Sequence, residues 1–383
     1  MGGREDTAAV IEVSVVIPAR DEEQTIGTCI DKARAAFDAL GVRGEVVVAD
    51  SSRDKTREVA EKHGAKVVVP DRHGYGNAFK YAFNHVSGRY IVLGDADDTY
   101  DFAEMGRLLE PLMNGEADVV VGTRLKGEIK DGAMPWLHRK VGNPLLTGSL
   151  NLFFGAGVSD AHCGFRALTR EALGKLRLEA SGMEFASEMI VEAARRKLRI
   201  EEVPITYYPR KAGDSKLGSF SDGWRHMKFM LIRAPSYLYF APSLLLGVLG
   251  VGLMLLGHFG IDVGYVPGVH TLVLGALFLM AGYQVFLLGL FSKVYGVRMQ
   301  LFEPDPATDL VLSHLTLERG ALVGSVVFFG GVALAITLAA KWVSSGFVEL
   351  PLNGDDIISF TLIIFALQTF FSSFFLSMIK DGL

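Results

Sequence analysis

Three carboxylates stand together in the sequence Asp95-Ala96-Asp97-Asp98, directly after the apolar run Tyr90–Leu93. A short apolar run of this kind predicts a buried strand, which would deliver the carboxylates to the carboxyl edge of a sheet. Carboxylate oxygens at alternate positions suit Mg²⁺ or Mn²⁺, and these ions usually bind together with a diphosphate. A D-x-D of three residues is also common as a solvated acidic turn, so the surrounding chain has to decide between the two interpretations.

Polar groups also follow the ends of the other predicted strands. Strands are predicted at Val13–Ile17, Val46–Ala49, Val67–Val69, Tyr90–Leu93 and Val119–Val121. Helix-like stretches alternate with them at Gln24–Leu40, Lys55–His63, Asn77–His85 and Phe102–Met113. The alternation predicts an α/β fold with a Rossmann-like, mostly parallel sheet. Arg20–Glu23, Asp50–Ser52 and Thr123-Arg124 would then meet Asp95–Asp98 at the edge where α/β folds bind ligands.

Two common nucleotide-binding motifs are not present in the sequence. There is no G-x-x-x-x-G-K-[ST] phosphate loop, and Gly74-Tyr75-Gly76 lacks the third glycine of a dinucleotide fingerprint. We interpret these glycines as a turn that brings backbone close to a ligand, with a plain turn as the alternative. Cys29 and Cys163 have neither metal nor disulfide spacing, which is typical of a reducing compartment.

The distribution of charge divides the chain near residue 235. Only 14 of the 81 Asp, Glu, Lys and Arg residues lie from Ser236 onward, in a chain of 383 residues with net charge −5. Four stretches of more than 20 residues in this half carry no charge: Ala234–Gly257, Thr271–Ser292, Gly320–Ala340 and Ile357–Ile379. About 20 helical residues cross a bilayer. We therefore predict a membrane domain, 237–383, with transmembrane helices at about 237–257, 271–292, 320–340 and 357–379.

Lysine and arginine are concentrated before the first span, in the second connection and in the tail. The positive-inside rule therefore predicts an integral protein of the cell membrane whose N-terminal domain and both termini are cytoplasmic. No signal peptide is expected, because the N-terminus is polar and then enters a strand pattern. The segment 219–236 mixes basic and aromatic residues, which predicts an amphipathic helix at the bilayer interface. We expect the lipid bilayer, and no nucleic acid, as a partner.

Six motifs of the N-terminal half resemble those of a known family and occur in the family's order. They are VVIPARDEEQTIG (Val15–Gly27), VVVADSSRDKT (Val46–Thr56), YIVLGDADD (Tyr90–Asp98), DAHCGFRA (Asp160–Ala167), GMEFASEM (Gly182–Met189) and EVPITYYPRKAGDSKL (Glu202–Leu217). The chain resembles the inverting family-2 glycosyltransferases of the dolichol-phosphate mannose synthase and polyprenyl-phosphate glucose synthase type, in their multi-span branch. The resemblance implies a GT-A domain over residues 1–218 that binds a nucleotide sugar.

The resemblance also implies roles for the residues that match the family's motifs. The donor side would be formed by Pro18, Arg20, Glu22, Asp50 and Ser52, with Glu22 near the nucleoside and Asp50 near the base or ribose. Asp95 and Asp97 would hold the Mg²⁺ or Mn²⁺ and, with Arg124, form the catalytic set. Basic and polar groups would bind the acceptor phosphate or the diphosphate: Arg124, Arg139, Asn143, Arg210, Ser215 and Lys216. Asp98 and Thr99 depart from the mannose-synthase pattern, so the third metal ligand is left open.

The reaction that the resemblance implies transfers a hexose from a GDP- or UDP-sugar to dolichyl or polyprenyl phosphate, as a step of protein glycosylation. A phosphomonoester is largely ionised at neutral pH, so no strong general base is required, and Asp97 or Asp98 would be the candidates for one. A processive polysaccharide synthase is one alternative, although its Q-x-x-R-W motif is absent. The other is a non-catalytic scaffold or a sugar-lipid transporter. The sugar, the nucleotide and the formation of a homo-oligomer stay open.

Overall fold

The computed structural model describes residues 11–212, 219–299, 301, 313–314, 316–348 and 353–381. The chain divides into two compact units, Met1–Met230 and Leu231–Leu383. The first unit contains a seven-stranded sheet, and the second consists of long apolar helices.

The sheet of the first unit is mostly parallel, as predicted from the sequence. Its strands are β1 Val13–Ala19, β2 Gly44–Asp50, β3 Lys66–Val68, β4 Tyr90–Leu93, β5 Val119–Ile129, β6 Arg166–Thr169 and β7 Ile200–Tyr207, in the spatial order β3-β2-β1-β4-β6-β5-β7. Only β6 runs antiparallel to its two neighbours, β4 and β5. The sequence pattern missed β6 and β7.

Strands β1 and β4 lie at the centre of the sheet because their side chains are apolar on both faces. Val15 and Val16 of β1, which lie on opposite faces, are fully buried, as are Ile91 and Val92 of β4. Continuous apolar runs of this kind are typical of parallel strands that are covered by helices on both sides. Ala19 pairs with Asp50, and Val16 pairs with the last residue of β4. This register brings the polar residues that follow β1, β2 and β4 to one edge of the sheet.

The helices of the first unit are α1 Ile26–Leu40, α2 Thr56–Lys62, α3 Tyr75–Phe83, α4 Met105–Met113, α5 Asn143–Phe154, α6 Arg170–Lys175, α7 Phe185–Arg195 and α8 Ser219–Arg233. Each of the four predicted helices begins one to three residues away from the expected position. Thr25 and Ile26 both donate backbone hydrogen bonds to the carbonyl oxygen of Glu22, which delays the start of α1. Helix α3 begins two residues before the predicted Asn77, directly after Gly74.

Helix α8 packs one face on the core of the first unit and exposes the other. Met230 is fully buried in that core, and Met227 and Phe229 pack against it. Elsewhere on the helix, Phe220 is 90% exposed and Trp224 is 57% exposed. The helix thus exposes apolar side chains, and its amphipathic character and its position at a bilayer interface stay predictions.

A small polar cluster lies under α8. Ser187 Oγ is 2.7 Å from His226 Nδ1 and 3.1 Å from His162 Nε2, and the two imidazole rings meet edge to face at 4.5 Å. His162 Nδ1 is buried, with no hydrogen-bond partner in the described part of the chain. Burial lowers the pKa of His226 to about 4 and lowers the pKa of His162 well below its ordinary value. Both rings are therefore neutral at neutral pH.

The second unit has four helices that are long and apolar enough to cross a membrane: Ser236–Phe259, Val269–Arg298, Leu317–Ser344 and Gly354–Lys380. Their regular α-helical parts are α9 Ala241–Phe259, α10 Val269–Arg298, α11 Leu317–Ser344 and α12 Gly354–Asp381. Helix α9 packs on α10, α11 packs on α12, and α10 joins the two pairs through α12. A Cβ atom at Gly250 would lie 2.6 Å from the backbone nitrogen of Leu279, so this glycine permits the close approach of α9 and α10.

Acidification should weaken the packing of α8. A histidine that is neutral when folded and charged when unfolded lowers stability as the pH falls below its unfolded pKa, here between about 6.5 and 4. When the pH falls from 6.5 to 5, the unfolding free energy of the wild type should therefore decrease by roughly 1.5 kcal/mol more than that of the His226→Gln variant. Thermal unfolding at several pH values measures this, with the exposed His73→Gln as the control. An undiminished pH dependence in His226→Gln would contradict the prediction.

Candidate active site

Asp97 lies just beyond the end of β4, and its two carboxylate oxygens have different partners. Oδ1 accepts hydrogen bonds from the Thr99 hydroxyl at 2.7 Å and from the Thr99 backbone nitrogen at 3.2 Å. Oδ2 accepts one from Arg210 at 2.8 Å. Thr99 therefore orients Asp97 from its own turn, and Arg210 contacts it from the segment that follows β7. Thr99, where the sequence departs from the mannose-synthase pattern, therefore holds Asp97 in place.

Arg210 joins the ends of the two central strands. One guanidinium nitrogen donates to Glu22 Oε1 at 3.0 Å, after β1, and another donates to Asp97 Oδ2, after β4. The Arg210 side chain is 25% exposed, whereas the Glu22 carboxylate is nearly buried. The structure thus brings three of the predicted site residues into direct contact. The role of Glu22 toward a nucleoside stays a prediction.

Asp98 has a different environment from its acidic neighbours. Its side chain is fully buried, with Oδ1 accepting from Lys32 at 2.8 Å and Oδ2 accepting from Lys211. Its backbone φ is +57°, in the left-handed region that aspartate tolerates better than most residues. This turn directs Asp98 away from the path of the strand and into a lysine pair. The third acid of the cluster therefore stabilises the loop.

Asp95 is the acid whose titration is most perturbed. Burial, and next the neighbouring Asp97 carboxylate, raise the pKa of Asp95 to about 7, although Tyr75, Arg124 and Arg210 oppose the rise. The Tyr75 hydroxyl donates to Asp95 Oδ1 at 2.9 Å. Burial, the larger cause, leaves the ionised carboxylate poorly solvated, and the negative charge of Asp97 adds to this imbalance. A divalent cation would relieve this imbalance, so the donor set fits Mg²⁺ or Mn²⁺.

A cation at this position would receive only part of its ligands from the protein. Within the described ranges, no group of three or more His, Cys, Asp or Glu side chains is arranged to hold a metal ion. Mg²⁺ commonly binds through one or two carboxylates, with substrate phosphates and waters completing its shell. Asp95 and Asp97 are compatible with that pattern.

The ends of β1 and β2 form the neighbouring part of the edge. Asp50, the last residue of β2, is buried and accepts from the Ser52 backbone nitrogen at 3.1 Å and from Arg57 at 3.2 Å. Ser52 Oγ in turn accepts from the Asp21 backbone nitrogen at 2.8 Å. Pro18 lies in β1 beside this turn, and Arg20 is exposed after it. All five predicted donor-side residues are therefore at the strand ends, and their contact with a nucleotide stays a prediction.

Arg124 is held by a partner that the sequence reasoning missed. Its guanidinium makes a bidentate ion pair with Asp160, at 2.8 and 2.9 Å, and its backbone nitrogen donates to the same carboxylate. The guanidinium also lies over the Tyr207 ring, 5.2 Å from its centroid. Burial raises the pKa of Asp160, but Arg124 more than offsets this and the pKa is lowered. Asp160 opens the DAHCGFRA motif, and its isolated position in the sequence gave no sign of the pair.

The remaining predicted acceptor residues lie apart from this network or outside the described residues. Arg139 is exposed on the short π-helix His138–Gly142, where His138 is half-buried. Asn143 begins α5, and its side-chain amide contacts Met134 Sδ at 3.5 Å. Ser215 and Lys216 lie outside the described residues. The roles of all four toward a phosphate stay predictions.

Comparisons with known proteins identify the family. The family model described as Glycosyl transferase family 2 matches residues 14–177, and the family 2 C-terminal transmembrane region matches residues 290–380. The low-salt glycan biosynthesis hexosyltransferase Agl6 of Haloferax volcanii is 48% identical over 370 residues, which are 96% of this chain and 89% of that protein. The chain belongs to glycosyltransferase family 2. It is a membrane-bound transferase: the six motifs indicated the family, and the uncharged stretches indicated the membrane helices.

Two further similarities are to a relative in sequence and to a solved structure in fold. A dolichyl-phosphate hexose transferase of Haloferax volcanii is 36% identical over 215 residues, 55% of this chain and 89% of that protein. A solved structure, described as a crystal structure of a mycobacterial protein, aligns with a TM-score of 0.50 and 25% identity over 58% of this chain and 75% of that chain. The predicted GT-A-type sheet domain followed by four transmembrane helices is confirmed.

Replacing Asp98 should separate its structural role from catalysis. Asp98→Asn keeps a side chain that tolerates the left-handed backbone but removes the charge between Lys32 and Lys211. We expect a loss of about 1–3 kcal/mol of unfolding free energy, measured by thermal unfolding, with turnover of the folded variant close to wild type.

Asp101→Asn is the matched control for Asp98→Asn, because Asp101 also faces Lys32, at 3.4 Å, but is less buried. Its effect on stability should be smaller. A loss of turnover of about 100-fold or more in folded Asp98→Asn protein would instead assign to Asp98 the role of general base.

Proposed function

We propose that this glycosyltransferase moves a hexose from a UDP- or GDP-sugar to dolichyl or another polyprenyl phosphate, with inversion at the anomeric carbon. The observation that carries the proposal is the pairing of Asp95 and Asp97 beside Arg210 at the edge formed by β1 and β4. Acidic ligands for a cation and a basic group for a phosphate are what two phosphorylated substrates require.

The similar proteins support the classes of donor and acceptor. The Haloferax volcanii relative at 48% identity is named a hexosyltransferase of glycan biosynthesis, and it aligns with nearly the whole chain. The relative at 36% identity is named a dolichyl-phosphate hexose transferase, and its match covers 55% of this chain. We extend hexose transfer and a lipid phosphate acceptor to this chain on that basis. The choice between UDP and GDP is left to experiment.

The chemistry requires a diphosphate to leave the anomeric carbon as a phosphate oxygen of the acceptor attacks from the opposite face. This single displacement breaks the sugar–diphosphate bond, forms the sugar–lipid-phosphate bond and inverts the configuration. A divalent cation bound by Asp95 and Asp97 would neutralise the charge that develops on the leaving diphosphate. The acceptor phosphate is already an anion at neutral pH, so no side chain has to remove a proton from it.

Arg210 would serve this displacement by exchanging its partners. In the structure its guanidinium donates one hydrogen bond to each of two carboxylates, and phosphate oxygens accept such charge-assisted hydrogen bonds equally well. Binding an anionic substrate would therefore replace one ion pair by another instead of leaving a charge unpaired. Arg124, fixed by Asp160, would contribute a permanently positioned positive group behind the site.

The proposed position of the lipid phosphate acceptor is based on the membrane helices and on the exposed apolar and basic residues of the sheet unit. We propose that the sheet unit and both termini are cytoplasmic, because lysine and arginine flank the corresponding ends of the spans. The stretch from Trp136 to α5 combines apolar and basic groups, as the exposed part of α8 does. Its basic residues are Arg139 and Lys140. Its exposed apolar residues are Trp136, Leu137, Val141, Leu145 and Leu152. Such faces would keep the site at headgroup depth, where a lipid phosphate lies.

A direct assay tests the proposal. The purified full chain would be incubated with Mn²⁺, a short polyprenyl phosphate and, in separate reactions, UDP- and GDP-hexoses, and the release of nucleoside diphosphate would be measured. We expect release with one donor class, dependent on the lipid phosphate, and a β-linked product from an α-linked donor. No turnover with any of these donors would contradict the proposed function.

Removal of Asp97 tests the assignment of the metal site. Asp97→Ala should lower metal-dependent turnover by at least about 100-fold, because it removes a cation ligand and leaves Glu22 as the carboxylate partner of Arg210. Its thermal unfolding should stay cooperative. Asp38→Ala, on the exposed face of α1, is the control and should retain full activity. Retained activity in Asp97→Ala would show that the metal site lies elsewhere.

A further inference from the structure

We infer that Tyr75 is a positioning residue that fixes the orientation of Asp95 toward the cation. The inference rests on the proposed function, because it takes Asp95 as a cation ligand. Its basis is the hydrogen bond from the Tyr75 hydroxyl to Asp95 Oδ1 at 2.9 Å. A carboxylate rotates freely about its last bond unless one oxygen is held. With Oδ1 held by Tyr75, Oδ2 is the oxygen that Asp95 presents to a ligand.

The direction of this hydrogen bond follows from its two groups. An ionised carboxylate can only accept a hydrogen bond, so the Tyr75 hydroxyl is the donor. Groups that hold the ligands of a metal ion in this way commonly tune its affinity.

The ring of Tyr75 is held by two aromatic neighbours. It meets Phe79 edge to face, with ring centroids 5.0 Å apart, and it meets Phe185 at 6.3 Å in the same manner. Phe79 and Phe185 stack on each other at 5.2 Å. Phe79 belongs to α3 and Phe185 to α7, so two helices restrict the ring. Little rotation of the tyrosine is possible without disturbing this packing.

The two glycines beside Tyr75 allow its backbone to approach the segment before α7. A Cβ atom at Gly74 would lie 2.3 Å from the Ser181 carbonyl oxygen, and one at Gly76 would lie 2.3 Å from the Ala180 carbonyl oxygen. The backbone nitrogen of Gly76 donates to the Ser181 oxygen at 3.0 Å. Gly74 also has a φ of +131°, which favours glycine. The Gly74-Tyr75-Gly76 turn thus serves to place the tyrosine.

The segment against which this turn packs is itself fixed by α7. Glu188, which is fully buried, accepts from the backbone nitrogens of Glu179 at 3.0 Å and Ala180 at 2.8 Å. A continuous series of contacts therefore runs from the GMEFASEM motif through the glycine turn to the cation ligand. The Gly74-Tyr75-Gly76 and Gly182–Met189 motifs therefore both help to position Asp95.

Gly164 leaves the space that the held carboxylate needs. A Cβ atom at this position would lie 2.9 Å from Asp95 Oδ2 and 3.2 Å from the Tyr75 hydroxyl oxygen. Gly164 is the glycine of the DAHCGFRA motif, and its backbone nitrogen donates to Tyr100 at 2.9 Å. Any larger residue would press on both members of the hydrogen-bonded pair.

The test is the affinity of the full-length protein for Mn²⁺, measured by electron paramagnetic resonance in the presence of UDP and, separately, of GDP. Tyr75→Phe keeps the ring packing and removes only the hydroxyl. We expect its dissociation constant for Mn²⁺ to rise about 10-fold. We also expect saturating Mn²⁺ to restore kcat, since the variant weakens cation binding and leaves the reacting groups intact. Tyr90→Phe, at the start of β4, is the matched control and should bind Mn²⁺ like the wild type.

Each outcome decides the inference. Wild-type protein that binds no Mn²⁺ with either nucleotide would contradict the proposed metal site, and the role of Tyr75 with it. Wild-type binding with unchanged affinity in Tyr75→Phe would overturn the role of Tyr75 alone. If Tyr75→Phe does not fold, Gly164→Ala replaces it, because its methyl group would displace Asp95 Oδ2 and should weaken Mn²⁺ binding similarly. Unchanged affinity in that variant would overturn the inference as well.

Discussion

The ion pair that Arg210 makes with Glu22 and Asp97 is the interaction on which the site depends. The fold places acidic side chains after β1 and after β4, and adjacent registers bring them to one edge. Carboxylates this close repel each other unless positive groups are shared among them. Arg210 supplies that positive charge from the segment after β7. The C-terminal part of the sheet unit is therefore required to complete the site. Substrate phosphates would compete for the same guanidinium.

The three acids after β4 divide into two functions because of one backbone angle. The left-handed turn at Asp98 directs its carboxylate into a buried pair with Lys32 and Lys211, whereas Asp95 and Asp97 remain at the edge. Asp98 thereby anchors Lys211, the neighbour of Arg210, to the same loop. Its charge stabilises the arrangement that presents the other two acids. The Asp98 carboxylate of this family-2 transferase thus supports the segment after β7, which carries Arg210.

The sequence was sufficient for the parts of the structure that repeat. Apolar runs predicted β1 to β5, and uncharged stretches predicted the four membrane helices, because strand burial and bilayer thickness act on every residue of an element. It was insufficient for pairs that form only in three dimensions. Arg124 and Asp160 are 36 residues apart, and nothing local relates them. The four-residue strand β6 is too short for a periodic pattern. The turn at Gly74 was interpreted as bringing backbone close to a ligand, and the sequence could not show that its backbone approaches the Ser181 carbonyl oxygen.

The central claim is that Asp95 and Asp97 bind a divalent cation together with the diphosphate of the donor. Pulsed electron paramagnetic resonance on the wild-type protein with Mn²⁺ and UDP or GDP tests it directly, because phosphorus nuclei couple to a manganese ion that their oxygens coordinate. A phosphorus hyperfine coupling that disappears in an Asp95→Ala, Asp97→Ala double variant is the predicted result. A manganese spectrum that does not change when either nucleotide is added, or a coupling that survives in the double variant, would contradict the account.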